Sequence, residues 1–273
     1  MKTRLPYNYI TSWSEKILAQ GRYGFGLPEL REANEDLSDT AIKFALKRLS
    51  DKGKVLSIFK GYYLIIPPQY AIKGILPTQL YLDAFMKHLQ RPYYVALLNA
   101  AAFHGASHQQ PQEFFVMTDF PVLRPTLKKG QKVNYISVKE IPEALIEKRK
   151  TETGYLNISN PVLTACDLVQ FEKRVGGINR VATVLNELTE VITVSDFLPM
   201  LLMHVHLTTL QRLGYLIETV CCNMELADAL FEAMTKEKLR LFRIPLKASK
   251  ETKGYSSENR WKVIVNTNIE IDE

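Results

Sequence analysis

Apolar residues in the first 55 positions recur every three or four residues, which is the spacing that places side chains on one face of an α-helix. This pattern predicts three helices, over residues 12–20, 28–33 and 39–52. Pro28 is suited to the first turn of the second helix, and Ser38 is suited to cap the third. The predicted third helix has one continuous apolar stripe, formed by Ala41, Ile42, Ala45, Leu46 and Leu49.

Two runs rich in aromatic and β-branched residues follow, over 55–59 and 62–66, with Lys60-Gly61 between them. Such runs around a glycine-containing turn predict a β-hairpin. Helix, short helix, turn, helix and hairpin, within about 70 residues, are typical of a winged helix-turn-helix that binds DNA. The third helix would enter the major groove, and the hairpin, or wing, would approach the backbone. The residues predicted to contact DNA are Thr40, Lys43, Phe44, Lys47, Arg48, Lys60 and Tyr62.

Pro67-Pro68 is the predicted linker, which divides the chain into a DNA-binding domain over 1–67 and a C-terminal regulatory domain over 68–273. The predicted fold class is α+β, a winged helix-turn-helix followed by a larger mixed α/β domain rich in helices. In the larger domain, helices are predicted over 78–89, 94–103, 162–171 and 178–188, with two or three more in 195–238, and strands over 113–118, 132–138, 155–158 and 260–269.

The excess positive charge is concentrated near the N-terminus. The formal net charge is +6, and residues 1–67 carry 11 basic against 7 acidic residues, whereas the rest carries 24 against 22. Local basicity of this kind indicates a partner rich in phosphate.

Three observations bear on the location of the protein. No stretch approaches the roughly 18 consecutive apolar residues of a membrane span, so no membrane partner is expected. The basic N-terminus has no apolar run behind it, which is unlike a signal peptide. The three cysteines, Cys166, Cys221 and Cys222, are too few for a disulfide framework. Free thiols fit a reducing compartment, and we therefore expect the protein to be cytoplasmic.

Candidate catalytic and metal-binding motifs are incomplete. His104 and His108 would share a helical face, but Gly105 lies between them and no third ligand is near. His204 and His206 would point to opposite faces of a helix. The Glu251-Thr252-Lys253 triplet matches the end of a restriction-type nuclease site, but its neighbours are lysine, serine and glycine. A nucleotidyltransferase would need a Gly-Ser pair before its aspartates, and the chain contains none. We therefore expect no enzyme activity, no metal and no cofactor.

A second group of cations, around Gly130, has two interpretations. It is either a solvated loop or an additional surface for phosphate or an acidic partner. Neighbouring glutamates offset part of its charge. The candidate residues are Arg124, Lys128, Lys129 and Lys132.

Three segments together resemble the AbiEi antitoxin family. They are YYVALLNAAAFHG at 93–105, QEFFVMT at 112–118 and ISNPVLTACDLV at 158–169, behind the predicted winged helix. The resemblance implies an abortive-infection, type IV toxin–antitoxin role, with autorepression at inverted repeats in the protein's own promoter. It also implies a nucleotidyltransferase toxin as functional partner. By position, it places DNA contacts on Thr40, Lys43, Lys47 and Lys60.

Three other functions stay open at this stage. The winged helix could be a protein-interaction module. The larger domain could sense a small molecule in a pocket near Tyr93, Tyr94 and His104, which would make the chain a one-component regulator. The chain could also be a DNA-targeted nuclease.

Overall fold

The computed structural model of the chain describes residues 6–106 and 111–271. These residues form a mixed fold of helices and strands, which confirms the predicted α+β class. They divide into two compact units. The first contains the described parts of Met1–Tyr93, Gln112–Ile141 and Lys148–Asn157, and the second contains those of Tyr94–Pro111, Pro142–Glu147 and Ile158–Glu273.

The N-terminal module, residues 6–66 of the first unit, has the predicted order of elements. A three-stranded antiparallel sheet, in the order β1–β3–β2, packs with three helices. The β2–β3 hairpin has the position of the predicted wing. The elements are α1 Pro6–Ala19, β1 Gly24–Gly26, α2 Leu27–Glu32, α3 Asp39–Asp51, β2 Val55–Phe59 and β3 Tyr62–Ile65.

The module has its own apolar core because each helix and strand turns one face inward. Ile42 and Leu49 of α3 are 1% and 0% exposed, and they share a cluster with residues of α1, α2 and the sheet. Trp13 meets the ring of Phe25 edge-on at 5.0 Å, and Tyr63 stacks on the same ring at 5.6 Å. Burial of this stripe fixes which face of α3 points outward.

A six-stranded mixed sheet contains most of the remaining strands, in the order β6–β7–β5–β4–β9–β8. Strands β5 and β7 pair in parallel over six residues, and β6 and β7 form a tight antiparallel hairpin. The elements are α4 Leu82–His88, β4 Tyr93–Val95, β5 Glu113–Thr118, β6 Thr126–Lys128, β7 Gln131–Ser137, β8 Ile146–Thr151 and β9 Gly154–Ser159.

The second unit is mainly helical and is built around α6, in which eight consecutive residues are buried, from Val162 to Val169. Helices α5, α7 and α9 pack against α6, and α10 packs against α9. A helix that is buried on all sides lies at the centre of its unit. The elements are α5 Leu97–Phe103, α6 Pro161–Gln170, α7 Ile178–Leu188, α8 Pro199–His204, α9 Leu207–Thr219, α10 Met224–Lys236, β10 Ile244–Pro245 and β11 Val263–Ile264.

The sequence pattern was wrong about the segment 94–103, which it predicted to be one helix. Residues Tyr93–Val95 form β4, which pairs in parallel with β9 through Val95 and Ile158. The left-handed backbone of Leu97, with φ 56°, lies at the start of α5. Aromatic and β-branched residues favour a strand, so a wholly apolar run contains two elements here.

The predicted strand over 260–269 was also wrong, because within this described segment only Val263–Ile264 are paired, with β10. Side-chain amides take the place of a longer ladder. Asn266 Nδ2 donates to the carbonyl oxygens of Lys247 and Lys250, and Asn259 Nδ2 donates to that of Val263. Alternating burial therefore arises without a regular strand.

Two further points concern boundaries. Helix α1 begins at Pro6, six residues before its predicted start at residue 12. The domain boundary at residue 67 stays a prediction, although residues directly after it share a compact unit with the N-terminal module.

None of the helices within 6–106 and 111–271 combines the length and the apolar composition needed to cross a membrane.

Candidate nucleic-acid interface

Helix α3 separates its residues sharply between the core and the outer surface. Its inward face is the buried stripe of the N-terminal module, whereas Phe44, on the opposite face, is 62% exposed. The predicted DNA-contacting positions on α3 are all exposed and form one surface, which we call the α3 face. It consists of Thr40, Lys43, Phe44, Lys47 and Arg48.

Two interactions hold the N-terminal end of α3 in place. The Ser38 hydroxyl accepts a hydrogen bond from the Ala41 amide at 3.2 Å, which caps the first turn. Arg31 on α2 forms an ion pair with Asp39 at 2.9 Å. This ion pair connects α2 to α3 and offsets the acidic side chain at the start of α3. The α3 face is therefore more basic than its sequence suggests.

The cations of the α3 face are available to a ligand. None of Lys43, Lys47 and Arg48 forms an ion pair within the described part of the chain, and all three are exposed. A long cationic side chain without an internal partner gives up no ion pair when it approaches a phosphate. Phe44 lies among these cations with most of its ring in solvent. An exposed aromatic ring in a basic surface suits contact with a base edge, such as a thymine methyl group.

Of the two wing residues that were predicted to contact DNA, one is exposed and the other is buried. Lys60 is exposed at the turn between β2 and β3. Tyr62 is 1% exposed, and its ring lies 5.1 Å from that of Phe85 and 4.9 Å from that of His88. Burial raises the pKa of the Tyr62 hydroxyl well above its ordinary value. The side chain of Tyr62 is therefore part of the core, and we remove Tyr62 from the residues that are expected to contact DNA.

The second group of cations is only partly free. Lys132 forms an ion pair with Glu113 at 2.9 Å. The same carboxylate accepts from Asn134, and the hydrogen bonds from Lys132 and Asn134 lower the pKa of Glu113. Arg124 and Lys129 are exposed, and Lys128 is half-buried. Lys132 is therefore an internal partner of Glu113, whereas the other three remain candidates for a ligand.

Sequence reasoning missed one cation of this region, Lys73. It lies in the turn 70–74, where Ile72 is fully exposed. The side chain of Lys129 passes over Gly74 in the same turn, since an ideal Cβ on Gly74 would lie 3.5 Å from Lys129 Cε. Residues 73 and 129 are far apart in sequence, so no local pattern could have joined them.

The residues considered for catalysis do not form a site. Cys166 and Asp167 are buried in α6, and burial raises the pKa of Asp167 to about 8 and that of the Cys166 thiol well above its ordinary value. The three cysteines are free thiols. The triplet 251–253 lies in an exposed loop. No group of three or more residues suited to a metal ion occurs within the ranges that the structure describes.

The histidine pairs are also placed apart from any such site. His104 is half-buried, and its Nε2 lies 2.7 Å from the carbonyl oxygen of Ser159. His108 lies outside the described residues. His204 ends α8 and His206 precedes α9, so this pair lies at a junction between two helices.

The second unit contains a polar cavity of about 540 Å³. It does not include Tyr93, Tyr94 or His104. Tyr93 and Tyr94 are buried, and their hydroxyls are bound to Asp83 and Asp167. The pocket near these residues therefore stays a prediction. The cavity lies between the start of α7 and the C-terminal segment, and its lining includes Gly176, Gly177, Asn179, Lys247, Lys250, Tyr255 and Thr267.

Comparison with known families identifies the central part of the chain. Residues 94–219 match the family model of the AbiEi antitoxin C-terminal domain. This confirms the resemblance drawn from three short segments, all of which overlap that range. Residues 94–219 are thus similar to the C-terminal domain of AbiEi antitoxins, and the N-terminal module precedes them in the chain.

Comparison of whole folds gives a consistent result. The chain is similar to the crystal structure of the RV2827C protein from Mycobacterium tuberculosis, with a TM-score of 0.65. The alignment covers 96% of this chain and 92% of that one at 15% sequence identity, so the likeness shows the fold alone. No protein of curated function matches this chain in sequence.

Proposed function

We propose that the protein is a DNA-binding autorepressor and the antitoxin of a type IV toxin–antitoxin system. The N-terminal module acts as a winged helix-turn-helix, with α3 in the major groove of inverted repeats in the protein's own promoter. The chain acts by binding and not by catalysis. Its functional partner is a nucleotidyltransferase toxin, whose effect the antitoxin counters.

The observation that carries the DNA-binding part is the α3 face. Three cations, which have no acidic partner among the described residues, and one exposed aromatic ring share one side of a helix whose other side is fully buried. A solvated helix face would not need Phe44 in water, where an apolar ring costs free energy. Lys60, at the turn of the wing, adds a cation that suits the phosphate backbone.

The observation that carries the antitoxin part is the family match over 94–219. Within that range, the central helix α6 is buried on all sides, so its residues serve packing and leave the surface of the unit to interact with other molecules. The antitoxin counters its toxin either by direct contact or by opposing the toxin's effect. Co-expression of the two proteins, described below, distinguishes a role of the family domain from one of DNA binding.

The DNA-binding part is tested by titrating the protein with its own promoter duplex and with random DNA at several salt concentrations. We expect tight, specific binding that Lys43→Ala/Lys47→Ala weakens, with a salt slope flatter by about 0.9 for each phosphate that is no longer neutralised. The matched control, Lys236→Ala/Lys238→Ala, removes two exposed lysines of the second unit. Equal binding to both DNAs would contradict the repressor function and would favour a protein-docking module.

The antitoxin part is tested by co-expression with a nucleotidyltransferase toxin encoded beside this chain. Growth should be rescued by the full chain and also by the Lys43→Ala/Lys47→Ala variant, because antitoxicity belongs to the family domain. Failure of both to rescue growth would contradict the antitoxin function. Rescue by the full chain alone would show that neutralisation acts through DNA binding.

A second candidate function, ligand sensing, is favoured by the polar cavity. Lys247 and Lys250 line it together with the start of α7, where the N-cap residue is Gly177 and brings no side chain to the helix end. Cations and backbone amides of this kind suit an anionic metabolite. A melting-temperature screen with phosphate-bearing compounds tests it. A shift that Lys247→Gln/Lys250→Gln abolishes would support ligand sensing, and no shift with any compound would count against it.

A further inference from the structure

Helix α8 is apolar on all sides, although only one of its sides is buried. With its flanking residues it reads LPMLLMHV over 198–205, in which the one polar residue is a histidine. Leu201 and Leu202 are buried, whereas Met200 and Met203 lie in solvent on the opposite side. A helix that is apolar all round is normally buried on every side. The outer face of α8 therefore has the composition of a surface that another molecule covers.

The segment that leads into α8 extends this surface. The carboxylate of Asp196 accepts hydrogen bonds from the amide and the hydroxyl of Thr193, and α10 packs against the turn that contains them. The segment is therefore held against the second unit while its apolar side chains stay exposed. We call the exposed group the apolar patch, and it consists of Val191, Val194, Leu198, Met200 and Met203.

The apolar patch contains no charged side chain. Between Glu190 and Arg212 the sequence has one charged residue, Asp196, whereas 23% of the whole chain is charged. Two copies of a protein with a net charge of +6 repel each other over most of their surfaces. That repulsion is weakest where a surface has no charge, and a two-fold contact places the same patch of each copy together. The absence of charge therefore suits a second copy of this chain better than an acidic or basic partner.

The size of the apolar patch also fits a second copy. Met203 is 75% exposed and the other four side chains are between 43% and 47% exposed. These fractions correspond to on the order of 500 Å² of accessible surface, as in patches that are often functional. Two copies would together bury roughly 1,000 Å², which is at the lower end for specific interfaces. Interface centres are depleted of charge and enriched in methionine, as this patch is.

We propose that the apolar patch is the contact surface of a homodimer, in which α8 of one copy packs against α8 of the other about a two-fold axis. The dimer is weak and depends on concentration, because the apolar area that it buries is small. This inference goes beyond the proposed function, since the contact forms without DNA.

The test is sedimentation velocity of the full chain without DNA, between about 1 and 200 µM and in about 0.3 M salt, which screens the repulsion between net charges. We expect the wild type to sediment as a 31.3 kDa monomer at the lowest concentration and to approach twice that mass at the highest. Met203→Lys places a charge on each copy at the contact and should stay monomeric throughout. The matched control is Leu127→Lys, because Leu127 is an exposed apolar residue of the first unit, and it should dimerise like the wild type.

A second variant, Leu198→Ser, separates the contact from folding. Leu198 is the N-cap residue of α8, and its side chain makes no capping hydrogen bond. Serine is a preferred N-cap residue, so the melting temperature should stay close to that of the wild type. The dissociation constant of the dimer should rise by about tenfold or more, because both copies lose an apolar side chain from the contact. A wild-type dissociation constant in this variant would contradict the inference.

A wild type that stays at the monomer mass over the whole concentration range would overturn the inference and leave the proposed function intact. Equal dimerisation of the wild type and Met203→Lys would also overturn it, because the contact would then lie elsewhere on the surface. A monomeric wild type that forms a complex with the toxin, which Met203→Lys loses, would likewise overturn it, since a different molecule would then cover the patch.

Discussion

Replacing Asp167 with asparagine should remove a pH dependence of folding from the second unit. Asp167 is buried in α6, and desolvation raises the pKa of its carboxyl from 3.8 to about 8, although the hydrogen bond from Tyr94 opposes this rise. The Oδ2 atom of Asp167 has no hydrogen-bond partner among the described residues. A neutral carboxyl group is the form that tolerates such a position. The folded protein therefore holds a proton that the unfolded chain releases.

The sign follows from these two pKa values. Below about pH 4 the group is protonated in both states, and its contribution to stability is fully present. As the pH rises towards 8, the unfolded chain loses the proton and the folded chain keeps it, so the free energy of unfolding falls by up to about 1.4 kcal/mol per pH unit. Between about pH 5 and pH 8 the total decrease reaches about 4 kcal/mol.

The assay is urea unfolding of the wild type and Asp167→Asn, followed by circular dichroism between about pH 5 and pH 9. Asparagine keeps an acceptor for Tyr94 and has no charge at any of these pH values. The difference in unfolding free energy between the two proteins should therefore move in favour of the variant as the pH rises. Asp36→Asn, at an exposed position, is the control and should show no such trend. A difference that does not change with pH would refute the argument that Asp167 is protonated in the folded state.

Three further predictions concern the DNA interface and the packing of the second unit. Ser38→Ala removes the cap of α3 and should lower the free energy of unfolding by about 1 kcal/mol, which is measured as a shift in the urea midpoint. A free energy of unfolding equal to that of the wild type would show that the cap does not stabilise the helix. Phe44→Ala should weaken promoter binding by about 1 kcal/mol, and replacing the contacted thymine with deoxyuridine, which lacks the methyl group, should weaken the wild type but not the variant. Additive effects of the two changes would contradict an interaction between the ring and the methyl group. Gly214→Ala would place a Cβ in steric overlap with the ring of the buried Trp261, so the free energy of unfolding, measured with urea, should fall by about 3 kcal/mol. The double variant Gly214→Ala/Trp261→Phe has a smaller ring and should recover part of this loss. No recovery would point to a cause other than the overlap.

The most reliable sequence predictions came from elements whose pattern is local. Helix α3 was predicted over 39–52 and is found at Asp39–Asp51, because its apolar stripe, its cap and its terminal glycine all agree. The hairpin at 55–65 and the strand Glu113–Thr118 were likewise predicted from composition and turn residues. Local propensity decides such elements wherever tertiary packing does not oppose it.

The errors fall where packing decides between equally plausible local structures. The apolar run 94–103 suits a buried helix or a buried strand, and only the pairing of Val95 with Ile158 separates β4 from α5. In the segment 260–269, amide side chains satisfy the backbone, so the alternation of apolar residues does not imply a ladder. Periodicity records which side chains are buried and does not record which backbone groups are paired.

The sequence by itself determined the order of elements in the N-terminal module, the outward residues of α3 and the match of residues 94–219 to the AbiEi antitoxin C-terminal domain. These depend on spacing within a few turns or on the order of short segments along the chain. Only the tertiary structure decided that Tyr62 is in the core, that Lys132 is bound to Glu113, and that the side chain of Lys129 lies over Gly74. The physical reason is that burial and ion pairing depend on neighbours that are distant in sequence, so the free or engaged state of a charge is a property of the folded chain.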